Sequence, residues 1–279
     1  MKGKDTGRLI AETGVTPKKS RGQNFLTDDR VADRQIGYAG ITEKDRVLEV
    51  GPGLGILTGR LASLSKDVTC IELDAALADH VAATYPSVRL IRGDAVKVPF
   101  PKFDIFVSNL PYSVSTPIIF KLLEHDFRKA VVMVQKEFAE RMVADVGSRD
   151  YSRLTVNLFY RAECRILENV PASRFKPRPE VDSAIVEIVP RPAPFEVLDE
   201  RTFLKVTEVT FNHRRKKIST SLRAAKMIPP GSEEADIPFL DARVETLAPS
   251  EIASVANGIF LLWENAAGSV PASPGDSVR

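Results

Sequence analysis

The run Arg46-Val-Leu-Glu-Val50 leads directly into Gly51-Pro-Gly53-Leu-Gly55, and a helical pattern follows over 56–65. Few folds are open to such a chain. Strand, glycine loop and helix form the opening unit of an open α/β sheet, in which a nucleotide-like ligand meets the carboxyl edge of the strands. Glycines there let the backbone take φ > 0 and approach a ligand closely. The spacing is Gly-x-Gly-x-Gly, with Ile56 following Gly55, whereas a dinucleotide fingerprint requires Gly-x-Gly-x-x-Gly, which argues against NAD. No Gly-Lys-Ser/Thr is present, which excludes a phosphate-binding P-loop. A glycine loop preceded by an acid, Glu49, suits a ligand without phosphates that carries an amino acid part, such as S-adenosylmethionine.

Two further strands extend the pattern. Val68-Thr-Cys-Ile-Glu72 is apolar up to an acid that lies roughly 20 residues past the glycine loop, where a carboxylate holds ribose hydroxyls in nucleotide-binding sheets. Val88-Arg-Leu-Ile-Arg-Gly-Asp94 again ends in an acid, placed to accept from the amino group of a cofactor adenine. Each acid alone reads more readily as a strand-end turn former or helix cap. Three of them at the ends of three successive strands favour a ligand edge.

The fourth strand, Phe103-Asp-Ile-Phe-Val-Ser108, runs into Asn109-Leu110-Pro111-Tyr112. An amide, a proline and an aromatic ring make a poor core but a good clamp for a planar base. The exocyclic amine of adenine is a weak nucleophile because its lone pair is delocalised into the ring. An enzyme that modifies it needs acceptors for the amino hydrogens and a ring to stack on. Asn109 offers its side-chain oxygen, Pro111 fixes the turn and leaves the Leu110 carbonyl free, and Tyr112 offers the stacking face. The small residues Ser113, Ser115 and Thr116 give room for a growing substituent. From the residues alone, the substrate is adenine or another exocyclic amine in nucleic acid.

Composition bounds the remaining possibilities. With 279 residues, 43% hydrophobic and 27% charged, the chain is ordinary globular material, enough for one large or two modest domains. No apolar run approaches ~20 residues and no signal-peptide core opens the chain, so a cytoplasmic protein without a membrane segment is expected. Cys70 and Cys164 read as reduced, buried and structural. His80, His125 and His213 share no metal-ligand spacing, so no metal is expected. Net charge is only +2, and its distribution matters more. Lys18, Lys19 and Arg21 form one basic cluster; Arg214, Arg215, Lys216 and Lys217 form another, within a run that reads as one helix from about Glu200 to Ala225. Either cluster is a solvated face or a set of contacts to the phosphates of a folded RNA.

Strand-like runs near 46–51, 67–74, 88–93, 103–108 and 130–135 alternate with helices, predicting a mostly parallel doubly wound sheet. Runs at 154–167 and 183–189 leave no room for a helical crossover and predict an antiparallel pair at one edge. Pro190-Arg-Pro-Ala-Pro194 reads as a stiff linker, followed by helices to Asn265. The expected division is a basic, cofactor-closing arm at 1–36, a catalytic domain at 37–190, a helical domain at 191–265 and a disordered tail at 266–279.

Taken together, Gly22-Gln-Asn-Phe-Leu26, Glu49-Val-Gly-Pro-Gly-Leu-Gly55, Ile71-Glu-Leu-Asp74, Gly93-Asp94, Asn109-Leu-Pro-Tyr112, Ser115-Thr-Pro117, Gln135-Lys-Glu137, Tyr151-Ser-Arg-Leu154, Phe175-Lys-Pro-Arg-Pro179, Val181-Asp-Ser-Ala184 and Phe211-Asn-His-Arg-Arg-Lys216 resemble the small-subunit ribosomal RNA adenine N6,N6-dimethyltransferases. The resemblance runs from about Lys18 to Asn265. It implies a Rossmann-like class I methyltransferase with a mostly parallel seven-stranded sheet and a small helical C-terminal domain. It also implies S-adenosyl-L-methionine as cofactor. The implied substrate is a pair of adjacent adenosines in the 3′-terminal hairpin of small-subunit RNA, met on an immature subunit by a monomeric enzyme. By resemblance, Asn24 and Leu26 close over the cofactor, Gly51 and Gly53 approach its methionine part, Glu72 holds the ribose and Asp94 the adenine. Asn109 touches both cofactor and target, and Phe175 faces the target base opposite Tyr112. A large-subunit or DNA adenine methylase would share the clamp, and an assembly factor could keep the fold without the chemistry.

Overall fold

The strand runs of the sequence assemble into one sheet whose order reverses next to the glycine loop. The computed structural model describes residues 23–228 and 237–268, with side chains to 265. Two units are present, one made of Met1–Val143 with Arg161–Pro192, the other of Ala144–Tyr160 with Ala193–Arg279.

The first unit opens on β1, Phe25–Leu26, and α1, Asp29–Ala39. Asp28 caps α1 by accepting from the Arg30 N–H at 2.9 Å, and Gly40 ends it at φ 58°, so the helix carries its start and stop signals in the sequence. Its buried stripe, Val31, Ala32, Gln35, Ile36 and Ala39, has helical spacing and packs on the sheet. The chain continues through β2 (Arg46–Val50), α2 (Thr58–Leu64), β3 (Asp67–Glu72), α3 (Ala75–Thr84), β4 (Arg89–Arg92), β5 (Ile105–Asn109), α4 (Ser115–Leu122), β6 (Lys129–Gln135) and α5 (Lys136–Met142). After α6 (Arg153–Arg161) it returns with β7 (Ala162–Val170), β8 (Phe175–Lys176) and β9 (Ser183–Pro190).

The seven-stranded sheet has the order β4-β3-β2-β5-β6-β9-β7. From β4 to β6 all neighbours are parallel, and β9 runs antiparallel to both β6 and β7. The short connection between β7 and β9 fits this antiparallel edge. Because β2 and β5 are adjacent and their neighbours extend in opposite directions, the carboxyl ends of these two strands flank the switch point where open α/β sheets bind ligands. Buried residues from the sheet and helices, Val47, Leu57, Leu61, Ile105, Val107 and Val131 among them, hold this edge in place.

In the second unit the chain forms most of α6, then α7 (Glu200–Phe211), α8 (Ile218–Ala224) and α9 (Pro249–Gly268). Phe203, Val206, Ile218, Leu222, Ile252 and Val255 make its core.

Several expectations change here. Residues 154–161, expected to be strand, are helical, and the strand starts at Ala162. Their β-branched and aromatic composition suits a strand. Ser152 and Thr155 instead exchange hydrogen bonds that close a first helical turn, and Tyr151 and Val156 are buried in the second core. Residues 144–160 therefore belong with the second unit, while α1 crosses the expected boundary at 36 and belongs with the first. The run from Glu200 to Ala225 is two helices rather than one. The chain turns at 212–217, and the Ile218 and Ser219 N–H groups donate to the carbonyls of Ala242 and Leu240. The last helix also extends to Gly268, three residues into the expected tail; the rest of the tail lies outside the described residues. Cys70 is buried, whereas Cys164 is only partly covered. No helix among the described residues is long and apolar enough to cross a membrane.

Candidate active site

The end of β2 and the end of β5 open onto one cavity of about 320 Å³. On the β2 side the glycine loop turns back under the sheet edge, with the Gly51 N–H donating to the Ile71 carbonyl at 2.9 Å. Gly53 has φ 57°, and a Cβ there would sit 3.2 Å from the Phe25 ring. Glycine thus lets Phe25 lie directly against the loop, where it packs with Leu54 and Leu77. This brings Asn24 and Leu26 to the cavity wall together with Gly51 and Gly53.

Two of the three acids are held by backbone N–H groups. The Glu72 carboxylate accepts from the Gly53 N–H at 3.3 Å and from the Asp74 N–H at 2.8 Å, and burial raises its pKa. Asp94 accepts from the Val96 N–H at 2.9 Å, which closes the turn after β4. Both line the cavity. Glu49, also on the wall, is fully buried and accepts from the Thr58 hydroxyl at 2.7 Å and the Cys70 thiol at 3.2 Å. Burial lifts its pKa to about 7.

A raised carboxyl pKa has a definite sign. Between the unfolded value and about 7, folded Glu49 holds a proton that the unfolded chain has released. Stability therefore falls as pH rises through that window, by up to ~3 kcal/mol for this group. A Glu49→Gln substitution keeps an acceptor for Thr58 and removes the titration. Its melting temperature in the ligand-free protein is expected to exceed that of the wild type at about pH 8 and to match it near pH 5. An equal difference at both pH values would remove Glu49 as the cause.

On the β5 side, Asn109 ends the strand with its side-chain oxygen buried and without a hydrogen-bond partner among the described residues. Buried acceptors are rarely left unmade, since each costs about 1–3 kcal/mol. An unpaired amide oxygen on a cavity wall is an acceptor waiting for a donor from a bound molecule. The Leu110 N–H donates to the Met133 carbonyl at 3.0 Å, while its own carbonyl accepts from no group among the described residues. The Pro111 carbonyl, by contrast, is used locally by the Val114 N–H at 3.0 Å and the Ser115 hydroxyl at 3.2 Å. Tyr112 is fixed by a 2.7 Å hydrogen bond between its hydroxyl and that of Ser183.

Phe175 borders the same cavity but is not an exposed platform. It is 7% exposed, lies in β8, and pairs with Leu26 of β1. The nearby Pro177 and Pro179 suit an open loop, but the two-residue β-pairing with β1 covers the ring. Of the small residues after the clamp, Ser113 lines the cavity, Ser115 is buried and bonded to Pro111, and Thr116 is exposed. Phe25, Ser183 and Met133 also line the wall and were not singled out from sequence. Phe25 and Ser183 had a signal, since they sit inside the Gly22–Leu26 and Val181–Ala184 motifs; Met133 had none.

The basic residues separate in character. Arg214 donates to Glu245 at 2.8 Å and to the carbonyls of Arg149 and Ser148, and Lys217 pairs with Asp241 at 2.8 Å. Arg215 and Lys216 are exposed in the turn between α7 and α8. Lys18, Lys19 and Arg21 lie outside the described residues. Among the described residues no group of three or more His, Cys, Asp or Glu is arranged to hold a metal ion.

Residues 14–257 match the sequence family described as ribosomal RNA adenine dimethylase. A probable ribosomal RNA small subunit methyltransferase A of Methanosarcina acetivorans is 47% identical over 247 residues, covering 85% of this chain and 92% of that protein. One from Thermococcus kodakarensis is 39% identical over 277 residues, covering 95% and 98%. Among solved structures, a dimethyladenosine transferase from Plasmodium falciparum superposes with a TM-score of 0.73 at 32% identity, covering 88% of this chain and 98% of that one. The 23S rRNA methyltransferase ErmE gives a TM-score of 0.64 at 28% identity, covering 85% and 100%.

Proposed function

The chain belongs to the ribosomal RNA adenine dimethylase family, and from that premise we propose that it dimethylates N6 of two adjacent adenosines in the 3′-terminal hairpin of small-subunit ribosomal RNA, using S-adenosyl-L-methionine. In this reading a monomeric cytoplasmic enzyme acts without a metal on an immature subunit. The observation that carries it is the unpaired Asn109 oxygen on the wall of a cavity that also holds Glu72, Asp94 and the glycine loop.

The residues present fit S-adenosylmethionine. Gly51 and Gly53 on the cavity wall would allow close approach of the methionine part, Glu72 would accept from the ribose hydroxyls, and Asp94 would accept from the adenine amine. Asn24 and Leu26 close the wall from the β1 side. When bound, the cofactor supplies an electrophilic methyl group on a sulfonium.

The chain's own part is positioning and electrostatics. The target adenine leaves its stack to enter the pocket. In the first transfer the Asn109 oxygen and the Leu110 carbonyl accept hydrogen bonds from its two amino hydrogens, which draws the nitrogen away from conjugation and frees its lone pair. Tyr112, locked by Ser183, and Phe175 give the ring apolar surface. Held in this way, the amine reacts from a prepaid orientation. No side-chain base is required, because the methylated nitrogen is strongly acidic while cationic and loses its proton to water.

Arg215 and Lys216 are the RNA-contacting pair of the second basic cluster, since Arg214 and Lys217 are engaged internally. Changing Arg215 and Lys216 together to Ala is expected to weaken RNA binding and to reduce the slope of log affinity against log salt by roughly 1–2. Arg214→Ala is expected instead to destabilise the second unit. An unchanged salt slope in the double variant would leave 212–217 as a solvated turn.

The substrate assignment is tested with tritiated S-adenosylmethionine and three acceptors: unmodified small subunits, large subunits and duplex DNA. Label confined to small subunits is expected. Label in large subunits would place the chain functionally with ErmE-like enzymes, and RNA binding without label would leave an assembly role.

A further inference from the structure

One side chain beneath the site is held in an unusual way. Lys121, in the last turn of α4, places its ammonium against three backbone carbonyls, those of Ala95 at 2.9 Å, Val96 at 3.3 Å and Val98. The Phe100 ring centroid lies 4.4 Å from the same nitrogen. An ammonium has three donors, and here three carbonyls converge on it. The turn it holds is the one that carries Asp94. Asp94 caps that turn at its start through Val96, and its carbonyl accepts from the Lys97 and Val98 N–H groups at 2.8 Å. The turn folds back tightly, so that a Cβ on Gly93 would come within 2.7 Å of Val98. Its last carbonyls have no helix to continue into, and Lys121 satisfies them. Ala95 and Val96 both border the cavity.

The helix bearing Lys121 begins at Ser115, three residues after Tyr112. One ammonium therefore bolts the turn that presents Asp94 to the helix that follows the Asn109–Tyr112 clamp. We infer that Lys121 is a positioning residue for the methyl donor, fixing Asp94 in the orientation that reads the 6-amino group of the cofactor's adenine. This rests on the proposed use of S-adenosylmethionine and deepens it. Burial of the ammonium lowers the Lys121 pKa, while Glu124 and Asp94 oppose that shift. Arg would not substitute, because a planar fork cannot converge three donors from one nitrogen.

The test is calorimetric binding of S-adenosylhomocysteine and of its analogue lacking the 6-amino group to the full-length protein. Wild type is expected to prefer the amino form by about tenfold, the worth of one charge-assisted hydrogen bond. In Lys121→Met the preference is expected to fall within about twofold, as in a double-mutant cycle whose coupling is lost. Steady-state turnover of the variant would show a raised KM for the donor with kcat largely kept. Should that variant fail to fold, Lys121→Arg gives the same readout, because it retains the charge but not the geometry. Retained discrimination in a folded variant would overturn the inference, as would an equal loss of affinity for both ligands, which a merely structural role produces. No preference in wild type would overturn it too. Failure of wild type to bind S-adenosylhomocysteine at all would instead overturn the proposed function.

Discussion

Asn109→Ala is expected to lower the rate of methyl transfer by about 10²–10³-fold at saturating donor and RNA, the loss seen when one preorganised polar partner of a reacting group is removed. The reason lies in the burial of the amide oxygen. It is buried and has no hydrogen-bond partner among the described residues, so an arriving amine breaks no bond to them in pairing with it. Alanine removes the acceptor and leaves one amino hydrogen without a partner, so the nitrogen lone pair stays conjugated. Donor affinity is measured separately, because Asn109 lines the same cavity as Glu72, Asp94 and the glycine loop. Single-turnover rates on small subunits check the prediction. A rate within about threefold of wild type would take the acceptor role away from Asn109.

Gly53→Val is expected to raise the dissociation constant for S-adenosylhomocysteine by at least about tenfold. Two costs combine. A β-branched residue at φ 57° sits in a left-handed region that costs about 1–3 kcal/mol. Its Cβ would also press on the Phe25 ring at 3.2 Å, with two further carbons behind it. Phe25 cannot retreat freely, because β1 is paired to β8 through Phe25 with Lys176 and Leu26 with Phe175. Pushing the ring away moves Asn24 and Leu26 off the cavity wall and disturbs the strand that carries Phe175. Calorimetry gives the affinity, and a thermal melt separates local loss from global unfolding. An unchanged affinity in a folded variant would show that the glycine loop does not touch the donor.

The parts of this fold that were legible in the sequence are those with a local signal. The parallel strands β2 to β6 are short apolar runs, and β2, β3 and the run through β4 end in or beside Glu49, Glu72 and Asp94. Asn109 to Tyr112 announces itself because an amide and a proline are costly at the end of a buried strand. What was not legible depends on distant partners. Nothing local marks Phe25–Leu26 and Phe175–Lys176 as strands; they become so by pairing across roughly 150 residues. Residues 154–161 look like strand by composition, yet burial of Tyr151 and Val156 in a core built mainly after residue 193 makes them helix. The basic run at 214–217 looked helical because the apolar stripe before it is. Two of its four charges proved to be taken up by Glu245 and Asp241, which no spacing rule finds. The sequence shows Glu49 as an acid beside the glycines, but its complete burial against Thr58 and Cys70 is a tertiary fact.

The most direct test of the central claim is nucleoside analysis of small-subunit RNA after incubation of unmodified subunits with this protein and S-adenosylmethionine. N6,N6-dimethyladenosine at two residues per subunit, absent with Asn109→Ala, is the expected result. Recovery of a different methylated nucleoside, or none from subunits the protein demonstrably binds, would contradict the reading of Asn109 and Leu110 as acceptors for the adenine amine.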